Sequence, residues 1–268
     1  MVGLIMFAFT CGRVQRALRS GNRDGAGRLL ENHVRRWPKG LEGWSLYYRT
    51  LVLSEAPFDR RLAISRRAFD QLPYRMEMFD HVTSNLAHAY VITGDIRFLK
   101  ELRMCVGRYE KLLGETPESL IVRSELAQLE GDDVVALGLA NLAHQRLEGV
   151  RPATMLMKLG ACYASIPGKE ELGHELLEEA GRSGQNAASY LVLAVIVETR
   201  DPARAQACVA QARSMLPPER MSSERFERLL AGLRETHQAE LRIRRGTTVP
   251  PPPPPSLWAG MPGAASPR

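Results

Sequence analysis

Lysine is nearly missing from this chain. Of 36 basic residues, only Lys39, Lys100, Lys111, Lys158 and Lys169 are lysines. An arginine bias of this kind follows from a GC-rich genome as readily as from function, so it carries little weight. Cysteine is also sparse, and Cys11, Cys105, Cys162 and Cys208 stand far apart with no C-x-x-C pair. That spacing excludes a zinc knuckle and a redox dithiol. Each thiol lies in an apolar helical stretch, where a free cysteine acts as a small hydrophobe, and a reducing compartment fits best. Alternating apolar and polar runs bounded by hairpin turns are missing, which removes the signal for strands. The apolar opening, residues 2–9, is too short to span a bilayer. It lacks the positive leader of a signal peptide, since Arg13 and Arg16 follow it, and no membrane partner is expected. The run opens without a capping residue, which fits a truncated chain or a misassigned start, and it is read as a first helix.

Catalytic spacings are missing too. There is no H-E-x-x-H, no G-x-x-x-x-G-K-[ST] and no G-x-S-x-G. Gly25-Ala26-Gly27 lacks the third glycine of a dinucleotide loop and is expected to let two helices approach. His174-Glu175 lacks a second histidine one turn on. His81 and His88 share a helical face near Asp80, but two ligands make a poor metal site. Glu178-Glu179 and Asp132-Asp133 read as solvated faces and helix starts. No enzyme, metal or cofactor is expected.

What the chain does have is recurring punctuation. Turn signals fall at Gly21-Asn22, Gly94-Asp95, Gly131-Asp132, Pro167-Gly168 and Asp201-Pro202. A second set of breakers falls at Pro38, Pro73, Pro117, Pro152, Gly184 and Pro217. Between them lie apolar residues at three- and four-residue spacing, as in Leu4, Phe7, Ala8, Cys11, Val14 and Leu18. Helix, turn, helix and breaker, repeated every 30-odd residues, predict an all-α solenoid of about six antiparallel helix pairs. Asp59 is the expected N-cap of the helix that Pro73 stops. Ser222-Ser223-Glu224 opens a further helix whose Phe226, Leu229, Leu230 and Leu233 form one apolar stripe. Residues 1–217 thus read as the repeat domain, and 218–245 as a capping helix over the last apolar face. Residues 246–268 read as a disordered proline-rich tail, in which Pro250 to Pro255 must be extended. That tail is a spacer, or a ligand for an aromatic-lined groove through its prolines, Leu257 and Trp258.

Charge is unevenly spread. Residues 1–75 carry 14 basic and six acidic groups, net +8, while residues 76–217 carry 14 basic and 19 acidic, net −5. A positive entry end beside an acidic middle steers an acidic partner or a phosphate backbone towards the first repeats.

These residues resemble the tetratricopeptide family. Leu159-Gly160-Ala161-Cys162-Tyr163 matches that repeat's first-helix core, and Leu86-Ala87-His88-Ala89-Tyr90 matches with alanine for glycine. Ala136 and Ala143, and Ala205 and Ala212, match the small positions of the second helix, with Pro217 in the closing place. Ala26 and Pro38 do the same in the first unit. Arg123-Ser124 departs from the expected Leu-Gly, and residues 76–117 run over length. One unit also resembles the half-a-TPR repeats of RNA-processing proteins. It comprises Trp44-Ser45-Leu46-Tyr47, then Arg61 to Phe69, closed by Pro73.

The first resemblance implies a concave surface built from the first helix of each pair. Transferred to this chain, its lining is Gln15, Arg19, Glu42, Arg49, His81, Ser84, His88, Glu125, Gln128 and Met157. The implied work is that of a cytoplasmic scaffold holding a peptide or helical segment of another protein. The lining lacks the Lys and Asn pattern of clamps for chaperone C-terminal carboxylates. The second resemblance implies a nuclear adaptor for RNA or a ribonucleoprotein, with Arg60, Arg61, Arg66 and Arg67 as its contacts. A third reading is the regulatory subunit of a separately encoded enzyme.

Overall fold

The computed structural model describes residues 2–147, 149, 152–184, 186–216 and 221–244, with side chains from Phe7 onward except Phe9. The described residues form 13 α-helices and no strand, so the fold is all-α. The tail 246–268, Pro217 and the side chain of Leu4 lie outside the described residues. None of the described helices is long and apolar enough to cross a membrane.

The chain divides into two compact units at Ala87/His88. The first unit holds α1 (Val2–Arg19), α2 (Arg23–Arg36), α3 (Leu41–Leu53), α4 (Phe58–Gln71) and the start of α5 (Met76–Thr93). The second holds the rest of α5, α6 (Ile96–Leu113), α7 (Pro117–Leu129), α8 (Asp133–Arg146) and α9 (Ala153–Ala164). It continues with α10 (Glu170–Gly184), α11 (Ala187–Val197), α12 (Pro202–Met215) and α13 (Ser223–Arg244).

The turn signals work through a two-residue device. Gly94 and Gly131 adopt φ of +67° and +81°, which other residues rarely tolerate. The aspartate after each then caps the next helix. Asp95 Oδ1 accepts from Arg97 N at 2.9 Å, and Asp132 Oδ1 from Val135 N at 3.0 Å. Asn22 and Asp201 cap α2 and α12 in the same way, from Gly25 N and Arg204 N. Pro117 is not a terminator. It opens α7 in the first turn, behind a Thr116–Ser119 capping box, where its missing N–H goes unneeded. Asp59 does not cap α4 either. The helix starts two residues sooner than expected, because the Pro57 carbonyl accepts from Arg60 N and Arg61 N. Asp59 instead places its charge in the first turn, facing the positive helix end.

In the first unit, α2 is the central packing element. Ala26, Leu30 and Val34 are fully buried. His33 is buried as well, its ring 5.7 Å from that of Phe7 and its Nδ1 3.3 Å from Thr10 Oγ1. A Cβ on Gly43 would sit 2.8 Å from the His33 ring, so the absent side chain makes room for the imidazole between α1 and α3. Gly27 is likewise kept bare by the Arg60 guanidinium, whose Nη2 would be 2.8 Å from a Cβ there.

In the second unit, α9 and α10 form an antiparallel hairpin closed by small residues. A Cβ on Gly173 would lie 2.2 Å from Ala164 N, and one on Gly184 would lie 2.3 Å from Ala153 Cβ. The two ends of α9 therefore meet opposite ends of α10. Gly160 abuts Leu177 and the Gly173 carbonyl at the same crossing. Around it sit Leu156, Leu159, Tyr163 and Ala180. Ser124, where glycine was expected, donates to the Ala136 carbonyl at 2.8 Å and ties α7 to α8.

Two outcomes follow from this packing. Gly173→Val overpacks a backbone-to-backbone crossing and should cost about 3 kcal/mol, the upper end for added bulk. Gly138→Ala, at an open helical site, should add about 0.5–1 kcal/mol. Urea unfolding monitored by circular dichroism checks both. Burial holds His33 below its ordinary value of 6.5. The unfolded chain therefore takes up this proton first on acidification. Its contribution to stability is complete above pH 6.5 and is lost as pH falls through the depressed folded value. The protection factors of the α2 amides, exchange rates corrected for their intrinsic pH dependence, should fall from pH 7 to 5.5, and His33→Gln should flatten that fall.

Candidate functional site

The residues expected to line a groove divide between the two units. In the first, Gln15 and Arg19 are exposed on α1, Glu42 on the first turn of α3, and Ser84 on α5. Arg49 and His81 are brought together, and the agent is Glu77. Glu77 Oε1 lies 3.6 Å from Arg49 Nη2 and 3.8 Å from His81 Nε2. The His81 ring stacks on Tyr48 with centroids 4.0 Å apart and planes 21° from parallel. Asn85 locks the arrangement, donating to Tyr48 Oη at 2.8 Å and to the His81 carbonyl at 2.6 Å. This patch joins an exposed cation, a stacked imidazole and an aromatic face on α3 and α5. Arg49 keeps 71 % of its side chain exposed. The patch can contact an acidic or aromatic group of an incoming chain. Sequence reasoning missed Glu77, Tyr48 and Asn85, although Glu77 and His81 stand at i, i+4 and could have been paired. His88 lies half-buried further along α5, past the boundary between the units.

The four arginines expected to touch RNA have local work. Arg67 holds Glu31 through two bonds of 3.1 and 2.9 Å and lies over the Trp44 ring. The hydrogen bonds from Arg67 keep the Glu31 carboxyl below its usual range. Arg60 rests on Gly27, and Arg61 stacks over Phe58. Arg66 also has interactions of its own.

In the second unit the expected lining is covered by the chain itself. Gln128 is 2 % exposed rather than open to a partner. Its Nε2 donates to the Cys162 carbonyl at 2.8 Å, and its Oε1 accepts from Arg244 Nη2 at 2.8 Å. Arg244 Nη1 also donates to the Ser165 carbonyl at the end of α9. Met157 packs against two of the apolar clusters of this unit, and Glu125 is half-buried. Burial beside them pushes the Cys162 thiol up to about 12, so it is inert as a nucleophile.

The covering element is α13, and its position differs from the expected cap. Phe226 and Leu230 do join the apolar cluster of α11 and α12, with Ala205, Cys208 and Ala212. Beyond Leu230, however, α13 runs back across the unit. Arg234 holds Glu198 at the end of α11 with bonds of 3.0 and 2.9 Å, and Arg244 then reaches α9 and α7. The helix thus crosses the C-terminal ends of α11, α9 and α7 in turn. Ten residues separate Arg234 from Arg244, about 15 Å of helix. With the reach of two arginines, that spans successive helices packed about 8–10 Å apart. A scan against protein-family models finds no match to this chain, and a search of curated proteins finds none.

Gln128→Ala removes a buried group with two partners, leaving the Cys162 carbonyl to Ser165 N alone and Arg244 Nη2 without its acceptor. It should destabilise the second unit by about 1–3 kcal/mol. It should also speed amide exchange near Arg244 more than in α10, a difference that mass spectrometry of peptic fragments reads directly.

Proposed function

We propose that this chain is a non-catalytic scaffold, a tetratricopeptide-like solenoid of about six antiparallel helix pairs whose first-helix faces hold a segment of a partner protein. Consecutive packing of neighbouring helices, seen in α1 on α2 on α3 on α4 and in α7 through α12, supports the repeat architecture. The observation that carries the functional reading is α13. Its seating across α11, α9 and α7 makes that face a receptor for a helix, with apolar anchors and arginine pairs supplying the contacts. In the first unit the same class of helix presents Arg49, His81 and Tyr48 outward, with Glu42, Gln15 and Arg19 exposed on neighbouring first helices. An acidic or aromatic stretch of a cytoplasmic protein suits these groups. The adaptor-to-RNA reading is left with arginines already engaged by Glu31, Gly27 and the Phe58 ring.

Affinity capture from native lysate, with half the sample treated with nuclease, tests the proposal. A partner kept in both halves and weakened about tenfold by Arg49→Glu with Arg19→Glu is the expected result. Binding that is lost with nuclease, falls steeply with salt, and disappears when Arg60, Arg61, Arg66 and Arg67 are neutralised would move the assignment to RNA.

A further inference from the structure

We infer that α13 is a displaceable occupant of the second unit, and that its seat on α11, α9 and α7 receives an amphipathic helix of a partner protein in its place. This rests on the groove reading above and adds where the partner binds and what it must look like.

The helix α13 buries little of itself. Only Phe226, Leu230 and Ala239 of its 22 residues are buried. Its further attachments are two surface charge pairs, Arg213 with Glu227 and Arg234 with Glu198, the Arg213 guanidinium over the Phe226 ring, and the bonds of Arg244 to Gln128 and the Ser165 carbonyl. Exposed pairs of this kind contribute little each. Two clefts of about 430 and 380 Å³, both open to solvent, flank α13, which lines both. The larger is walled by Val195, Val209 and Leu230, the smaller by His174, His237 and Glu240. At the smaller cleft Arg244 Nε makes no hydrogen bond, while His174 Nδ1 faces Glu171 Oε1 at 3.4 Å. The α9–α10 hairpin beneath, in contrast, is packed until backbone meets backbone. The frame is tight and its cover is loose.

The template for the occupant is α13 itself. It needs two apolar side chains at i and i+4 for the surface of Ala205, Cys208 and Ala212. It needs an arginine four residues on for Glu198. A second arginine ten residues later then meets Gln128 and the Ser165 carbonyl. A partner helix that also fills the 430 Å³ cleft with a larger apolar side chain gains burial that α13 forgoes.

The test uses the full 268-residue chain and a fluorescent peptide of residues 221–244 as the probe. Arg234→Glu sets α13 against Glu198 while the peptide keeps its arginine. Peptide affinity measured by fluorescence polarisation should rise about tenfold over wild type. Glu198→Arg with Arg234→Glu restores the internal pair and opposes the peptide, so affinity should fall back. A peptide carrying Arg234→Glu should then outbind the native one on that double variant. Because position 234 is at the surface, circular dichroism is expected to show all three chains folded.

A rise below threefold, or no binding by any chain, overturns the inference. So does a swapped dimer in light scattering, since the occupant would then be a second copy. The peptide reads only the α13 seat. If it is negative while Arg49→Glu still weakens the captured partner, this inference falls and the groove reading stands. If it is positive while Arg49→Glu changes nothing, the seat stands and the groove reading fails for the first unit.

Discussion

The second unit depends on one contact, the approach of α9 to α10 until backbones touch. Gly160, Ala164 and Gly173 leave no side chain between them, and a Cβ on Gly173 has no space. Small residues at a helix crossing let large neighbours interlock on either side. Leu156, Leu159 and Tyr163 do so here, and burial pushes the Tyr163 phenol up to about 12. The closeness of this hairpin sets the height of the α9 surface. That surface presents the Cys162 carbonyl to Gln128 and the Ser165 carbonyl to Arg244. The polar latch therefore inherits its geometry from three residues with almost no side chain.

The first unit solves the same problem differently. Its α1–α2–α3 contact contains an imidazole, and Gly43 is bare because His33 needs the space. A buried histidine is a pH-sensitive filler where a leucine would be indifferent. The two units thus use glycine for different ends, backbone contact in one and room for a ring or guanidinium in the other.

Much of this fold was legible because its signals are local. Gly94-Asp95 and Gly131-Asp132 announce a turn, and the aspartate of each also caps the helix that follows. The helix Ile96–Leu113 starts directly after the turn expected at Gly94-Asp95. Asp59 was misread because a carbonyl, that of Pro57, can start a helix without any side-chain signal. The site was harder to read. Arg49 and His81 were identified individually, but Glu77, which joins them, carries no mark of its own beyond its spacing from His81. The bond between Gln128 and Arg244 joins residues far apart in sequence, and nothing local predicts it. A stripe of Phe226, Leu229, Leu230 and Leu233 tells that a helix has an apolar face. Which surface it covers depends on the whole array, and Leu229 in fact stays exposed.

The contrast between tight hairpins and a loosely held terminal helix bears on how such a molecule can work. A repeat array whose every surface is packed to interior density has nothing to exchange with a partner. A surface left bare must survive in water with its apolar groups exposed, which invites aggregation. A helix that covers the surface with few buried residues, several charge pairs and an open cleft on either flank avoids both problems. It keeps Ala205, Cys208 and Ala212 from solvent, yet leaves binding energy unclaimed in the cleft beside Val195 and Val209. A helix supplied by a separate chain would have to overcome the tether that holds α13 at high effective concentration, so it could take the seat only through contacts that α13 does not make. The apolar cleft beside Val195 and Val209 offers room for such contacts.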